Sequence, residues 1–217
     1  MNRGFVVRLL LMLGLAALLA VRMGLVGRRS YGRGSAGVSS GEYGGGEHVA
    51  AGRAPAATGA LLTSIAGRLT DASGRTRTLA EFRGAPFVAS LVYTRCTSVC
   101  PRLVAGLQRF ERESGGGAPP RFVLFSLDPS HDTPAALRAF ASTHALDSTR
   151  WTLLVPEPGV LPPLASALGV AWQPTPDGGI AHSAVVAMVD RAGRVRSRQI
   201  GLSNDPARLA AAWRAVQ

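Results

Sequence analysis

The chain reads as an α/β domain with a central mixed sheet flanked by helices, preceded by an N-terminal hydrophobic anchor. Three observations predict this. Apolar, β-rich runs such as Pro86–Tyr93 and Phe122–Phe125 alternate with segments whose apolar residues recur at helical spacing. A strand–turn–strand pattern then precedes a last helical segment, which is the element order of a layered α/β domain. Near the N-terminus, an uncharged run from Leu9 to Val21 lies between Arg8 and Arg22.

That run is 13 residues long, which fits a signal-peptide core and falls short of the roughly 20 residues of an ordinary membrane span. Snorkelling of Arg8 and Arg22 would extend the apolar length to about Phe5–Val26. No clean small-residue cleavage site follows, so residues 1–26 are expected to stay as an anchor rather than be removed. Either way the remainder crosses a membrane, into an oxidising space where thiols need protection or a purpose. Residues 27–58 are rich in Gly, Ser and Ala, cannot bury enough apolar surface to offset ordering, and read as a flexible tether with His48 as a solvent-exposed linker residue. The folded domain is expected over 59–217.

Within it, Ser64–Thr70 and Arg75–Thr78 flank the turn signal Asp71-Ala72-Ser73-Gly74 and predict a β-hairpin. A strand over 86–93 leads into a loop with both cysteines of the chain. A helix follows to about Ser114, with Leu103, Val104, Leu107 and Phe110 on one face, and Gly115-Gly116-Gly117 closes it. Arg121–Leu127 is a strand. Thr133 caps a helix that has Pro134 at its first position and runs to about His144. Trp151–Val155 is a short strand, and a helix covers about Val160–Leu168. Ser183–Asp190 and Arg194–Ile200 form a hairpin turned by Arg191-Ala192-Gly193, and Pro206–Ala215 is the final helix. A strand, a cysteine-bearing loop and a helix, ending in a hairpin and helix, is the order of a thioredoxin-like fold. Fold alone does not assign a function.

The formal charge is +11, and all 24 cationic side chains are Arg. The charge is spread along the chain. There is no basic helix, aromatic-interleaved basic run or zinc-finger spacing, so nucleic acid is not an expected partner. Arg194, Arg196 and Arg198 alternate on one strand face, as suits an edge strand guarded against aggregation or one that docks an acidic partner.

The chemistry concentrates in Tyr93-Thr94-Arg95-Cys96-Thr97-Ser98-Val99-Cys100-Pro101. A Cys-x-x-x-Cys at a strand-to-helix turn places two sulfurs on one side of a tight loop, where free helix N–H groups stabilise thiolate. The pair can form a disulfide or hold a soft metal ion. His182 lies at the entry to the penultimate strand, after the Pro- and Gly-rich loop that begins Gln173-Pro174-Thr175-Pro176-Asp177, and in a thioredoxin-like fold that entry faces the cysteine loop. Two thiolates and one imidazole suit Cu(I) and can also hold Cu(II). A closed structural zinc site would need a fourth protein ligand, and none is evident.

From about Ile65 to the C-terminus the sequence resembles the Sco/SenC family. The likeness is carried by the cysteine motif, by Phe125-Ser126-Leu127-Asp128-Pro129-Ser130-His131-Asp132-Thr133-Pro134, and by Ala181-His182-Ser183 followed by Val189-Asp190-Arg191-Ala192-Gly193. The Asp-Pro…Asp-Thr-Pro segment is its more specific part. The resemblance implies a thioredoxin-like copper-binding domain with Cys96, Cys100 and His182 as ligands. It further implies delivery of copper to the CuA site of a cytochrome c oxidase subunit, with copper received from a donor protein. The expected location is the bacterial inner membrane, N-terminally anchored with the domain in the periplasm, or exported if the segment is cleaved. Asp128 and Asp132 match acidic positions near the site and are expected to order its loops or form turns. Many relatives carry Pro-Asp or a similar pair where this chain has Thr97-Ser98, a difference expected to alter thiol pKa and partner contact. His131 and His144 are expected at the surface.

Two alternatives use the same residues. In a periplasmic thiol–disulfide oxidoreductase, Cys96 would attack a target disulfide and Cys100 would resolve the mixed disulfide. In a redox or copper sensor, the state of the same residues would alter partner binding. A peroxidase is disfavoured, because a close cysteine pair departs from an isolated peroxidatic cysteine.

Overall fold

The computed structural model describes residues 59–114, 118–203 and 205–217. The expected anchor, the tether with His48, and Gly115-Gly116-Gly117 lie outside the described residues. Among the described residues, no helix is long and apolar enough to cross a membrane.

Seven strands form one sheet: β1 (Leu69–Asp71), β2 (Thr76–Arg77), β3 (Phe87–Val92), β4 (Phe122–Ser126), β5 (Trp151–Pro156), β8 (Val185–Val189) and β9 (Val195–Ile200). Their spatial order is β2-β1-β5-β4-β3-β8-β9. The central strands β3, β4 and β5 run parallel, while β1, β2, β8 and β9 add antiparallel edges. The helices are α1 (Val99–Glu113), α2 (Pro134–Thr143), α3 (Leu161–Leu168) and α4 (Pro206–Arg214).

The central strands are buried on both faces, which explains their near-continuous apolar sequence. Alternation divides the core in two. Phe87, Ala89, Leu91, Val123 and Phe125 pack with α3, whereas Val88, Val92, Phe122 and Leu124 pack with α1, α2 and α4. The parallel register sets Val92 beside Ser126, so the loops after β3 and β4 leave the sheet side by side. That adjacency positions the site.

Most expected elements appear within a few residues. Thr133 Oγ1 accepts from Ala136 N at 3.1 Å, and Pro134 opens α2. Asp205 caps α4 by accepting from Ala207 N at 3.0 Å. The first hairpin is shorter than expected. Leu62–Ser64 forms a 3-10 turn, and extended pairing starts only at Leu69. Gly67, at φ +131°, lies against Val160, and a Cβ there would meet Val160 Cγ2 at 2.1 Å. The chain thus bends closely over the start of α3 where a longer strand was expected.

β9 is an edge strand, but its arginines do not form a uniform stripe. Arg198 donates to the carbonyls of Ala167 and Leu168 at 2.7 and 2.9 Å, capping the C-terminus of α3. Arg196 lies 3.8 Å from Asp190.

Between α3 and β8 there is a separate two-stranded sheet, β6 (Trp172–Pro174) with β7 (Ile180–His182). The sequence predicts a loop over 173–177 and places His182 at the entry of the next strand. His182 instead ends β7, directly opposite Trp172. Proline tolerates this position because the ladder is short and Pro174 is exposed at its end.

Candidate metal centre

β3 delivers the cysteine loop and α1 begins inside it. Cys96 N donates to Tyr93 O at 3.1 Å, so the chain turns tightly as it leaves the strand. Ser98 occupies the N-cap of α1, but its side chain makes no capping bond. The Cys96 sulfur takes that role, accepting from Cys100 N at 3.3 Å. Both cysteines are free thiols; Cys96 is 8% exposed and Cys100 fully buried.

Their environments differ. Burial works to raise the Cys96 pKa, but the N–H groups of Cys100, Ser98 and Val99 and the Cys100 thiol outweigh it and hold the thiol below its ordinary value. Cys100 lies deeper, and burial pushes its pKa well up, helped by the neighbouring Cys96. Cys96 is therefore the more readily ionised of the two thiols, and Cys100 resists ionisation until something stabilises its charge.

His182 faces them from β7. Its Nε2 is 4.0 Å from Cys100 Sγ, and its Nδ1 is 3.2 Å from Ser183 O. The second contact fits an Nδ1–H donor, which leaves the Nε2 lone pair toward the sulfurs. Burial lowers the His182 pKa despite the opposing Ser183 contact, keeping the ring neutral and able to ligate. The Tyr93 ring meets the His182 ring edge-on, with centroids 5.9 Å apart. The ligand atoms of Cys96, Cys100 and His182 all lie within 4.8 Å of one another. Two sulfurs and one nitrogen in this arrangement can close on a single soft ion.

The two aspartates lie behind the cysteine loop. Asp132 is 3% exposed. It accepts from Thr94 N at 3.2 and 3.3 Å, from Thr94 Oγ1 at 2.6 Å and from Ser126 Oγ at 2.5 Å. Asp128, 4% exposed, pairs with Arg95 at 2.6 Å and with His131 Nδ1 at 2.8 Å. Neither carboxylate joins the ligand set. Each grips a residue just before Cys96.

His131 is exposed as expected, whereas His144 is half-buried, its ring 4.4 Å from that of Phe140. The roles of Tyr93, Thr94 and Arg95 are not evident from the sequence. Their place beside the first cysteine was the available signal.

The profile of the SCO1/SenC family matches residues 58–216. The chain belongs to the SCO1/SenC family. A SCO1 protein homolog of Bacillus subtilis is 27% identical over 82 residues, covering 37% of this chain and 42% of that relative's length. Copper-bound ScoI of Bradyrhizobium japonicum is 27% identical, with a TM-score of 0.58 over 70% of this chain and 97% of its own. A SCO1/SenC family lipoprotein from Bacillus anthracis shares the fold at 23% identity, with a TM-score of 0.61 over 69% of this chain and 91% of its own.

Proposed function

We propose that this chain is a copper metallochaperone that binds one copper ion through Cys96, Cys100 and His182 and delivers it to the CuA site of cytochrome c oxidase during assembly. The convergence of two thiols and a neutral imidazole within 4.8 Å carries the reading. The copper-bound ScoI relative supports the choice of metal. The soft donor set suits Cu(I), and the imidazole also lets it accept Cu(II). Three protein ligands leave copper reachable by an incoming partner thiolate, as stepwise ligand exchange requires.

In this reading residues 1–26 anchor the chain in the bacterial inner membrane, 27–58 tether it, and 59–217 work in the periplasm. Tethering raises the domain's effective concentration near membrane partners. Copper arrives from a donor protein and leaves to the oxidase subunit bearing CuA.

One observation favours a second reading, thiol–disulfide exchange. The lowered pKa of Cys96 beside the raised pKa of Cys100 is the asymmetry of an attacking and a resolving thiol. Both readings are tested by mixing the Cu(I)-loaded chain anaerobically with a reduced, copper-free CuA fragment of a bacterial oxidase, separating the two and measuring copper in each. Copper found on the fragment, and lost from the reaction when His182→Ala is used, supports delivery. If copper stays behind, and reduced, metal-free Cys100→Ser mixed separately with the disulfide form of the fragment accumulates a mixed disulfide as Cys96 thiolate displaces one fragment thiolate, the exchange reading replaces it.

A further inference from the structure

His182 reaches the thiols on the β6–β7 hairpin, whose strands pair with each other and lie outside the seven-stranded sheet. Side chains therefore have much to do with how firmly His182 faces the cysteines. Trp172 and Ile180 anchor one side of the hairpin in the core. At its tip, Gly178 turns at φ +76° and its N–H donates to Thr175 O at 3.0 Å. The Gly178 carbonyl accepts from Arg95 Nη2 at 3.4 Å.

Arg95 immediately precedes Cys96 and is fixed from behind. Its Nε and Nη2 donate to Asp128 Oδ2 at 3.2 and 2.6 Å. The other Asp128 oxygen accepts from Ser130 Oγ at 2.8 Å and lies 2.8 Å from His131 Nδ1. Asp128 N donates to Ser126 Oγ at 2.9 Å, joining this cluster to the one around Asp132. A single guanidinium thus connects three segments: the cysteine loop, the loop after β4, and the tip of the hairpin that ends at His182.

We propose that Arg95, braced by Asp128, is a positioning residue that latches the His182 hairpin onto the cysteine loop and so sets how long bound copper stays; the copper half of this rests on the function proposed above. The fork shape of arginine is required. Nε and Nη2 together hold the Asp128 carboxylate while Nη2 also reaches the Gly178 carbonyl, a planar two-nitrogen geometry that a lysine ammonium lacks. The Arg95 side chain is 46% exposed and the bond to Gly178 is long, so the latch is modest in strength. A modest latch suits a carrier that must release its cargo.

The test uses the full chain with four variants: Arg95→Lys, Asp128→Asn, His182→Ala and the Arg95→Lys/His182→Ala double variant. Arg95→Lys keeps a cation for Asp128 and separates the latch from general stability. Amide hydrogen exchange over residues 172–182 is measured on the reduced, metal-free chain, and Cu(I) dissociation is measured into excess bicinchoninate. Arg95→Lys is expected to melt close to wild type, to exchange faster in the hairpin alone, and to release Cu(I) about five-fold faster, the size of one partly exposed charge-assisted hydrogen bond. Asp128→Asn should move both readouts in the same direction. In a His182→Ala background, Arg95→Lys should change the release rate less than about two-fold, because Arg95 acts on copper only through the hairpin that carries His182. Unchanged hairpin exchange in Arg95→Lys, or a full five-fold effect persisting without His182, overturns the latch. If wild-type copper binding ignores His182, the copper reading falls. Hairpin exchange then decides the latch alone: faster in Arg95→Lys sustains it, and unchanged refutes it.

Discussion

Replacing Asp132 by alanine tests how the cysteine loop is held. The carboxylate is 3% exposed and accepts from Thr94 N, Thr94 Oγ1 and Ser126 Oγ, with the shortest contact at 2.5 Å. A hydrogen bond to a charged group contributes about 1.5–3 kcal/mol, and a buried donor left without an acceptor costs about 1–3 kcal/mol. These contributions share one carboxylate and are not additive, so the net loss is expected at about 3 kcal/mol. For a domain of this size that is a fall in melting temperature of about 6–12 °C. Asp132→Asn keeps an acceptor and should lose about half as much. Thermal unfolding followed by tryptophan fluorescence supplies the measurement. Cu(I) affinity measured in parallel should fall too, because Thr94 is two residues from Cys96. A melting temperature within about 2 °C of wild type for Asp132→Ala would refute the claim that this carboxylate fixes the loop.

Three further outcomes are expected. Asp71, 5% exposed and held by Ser73 and Arg75, has its pKa lowered from 3.8 to about 2 although burial opposes the shift. Its ionised form stabilises the fold fully above about pH 5, and that stabilisation is lost as pH falls toward 2. Denaturant unfolding of wild type and Asp71→Asn should therefore show a gap that narrows by about 2 kcal/mol between pH 7 and pH 2, and a constant gap would contradict this. Iodoacetamide should modify Cys96 before Cys100 at neutral pH, with the Cys96 rate rising below the ordinary thiol range of about 8.5, as peptide mapping would show; first modification at Cys100 would reverse the assignment. Gly67→Ala should destabilise by about 2–4 kcal/mol in equilibrium unfolding, because it combines a positive φ with a clash on Val160, and a neutral result would mean that the bend over α3 relaxes freely.

The parts of the fold with long apolar runs or clear helix caps were legible in the sequence. Phe87–Val92 and Phe122–Ser126 carry long apolar runs because both faces of the central sheet are covered, and α2 carries its cap and proline in view. The β6–β7 hairpin was not legible, since Pro174 and Pro176 read as loop and mask a three-residue ladder around Asp177-Gly178. A Asp-Gly pair between Trp172 and His182 is a hairpin signal, though a weak one across so short a pairing. The candidate ligands could be named because thiols and an imidazole are chemically distinctive. The residues that hold them could not, because Arg95 meets Asp128 and Gly178 across 33 and 83 residues of sequence. Arginines are abundant in this chain, and nothing local separates this one from the rest.

The central claim is a copper site shared by the cysteine loop and the β6–β7 hairpin. An anaerobic Cu(I) titration of the reduced protein against a calibrated competing chelator tests it most directly, with wild type, His182→Ala and Cys100→Ser run side by side. The account predicts one tightly bound copper per chain in wild type and at least a ten-fold loss of affinity in each variant. Weak binding in wild type, or binding indifferent to His182, would contradict it.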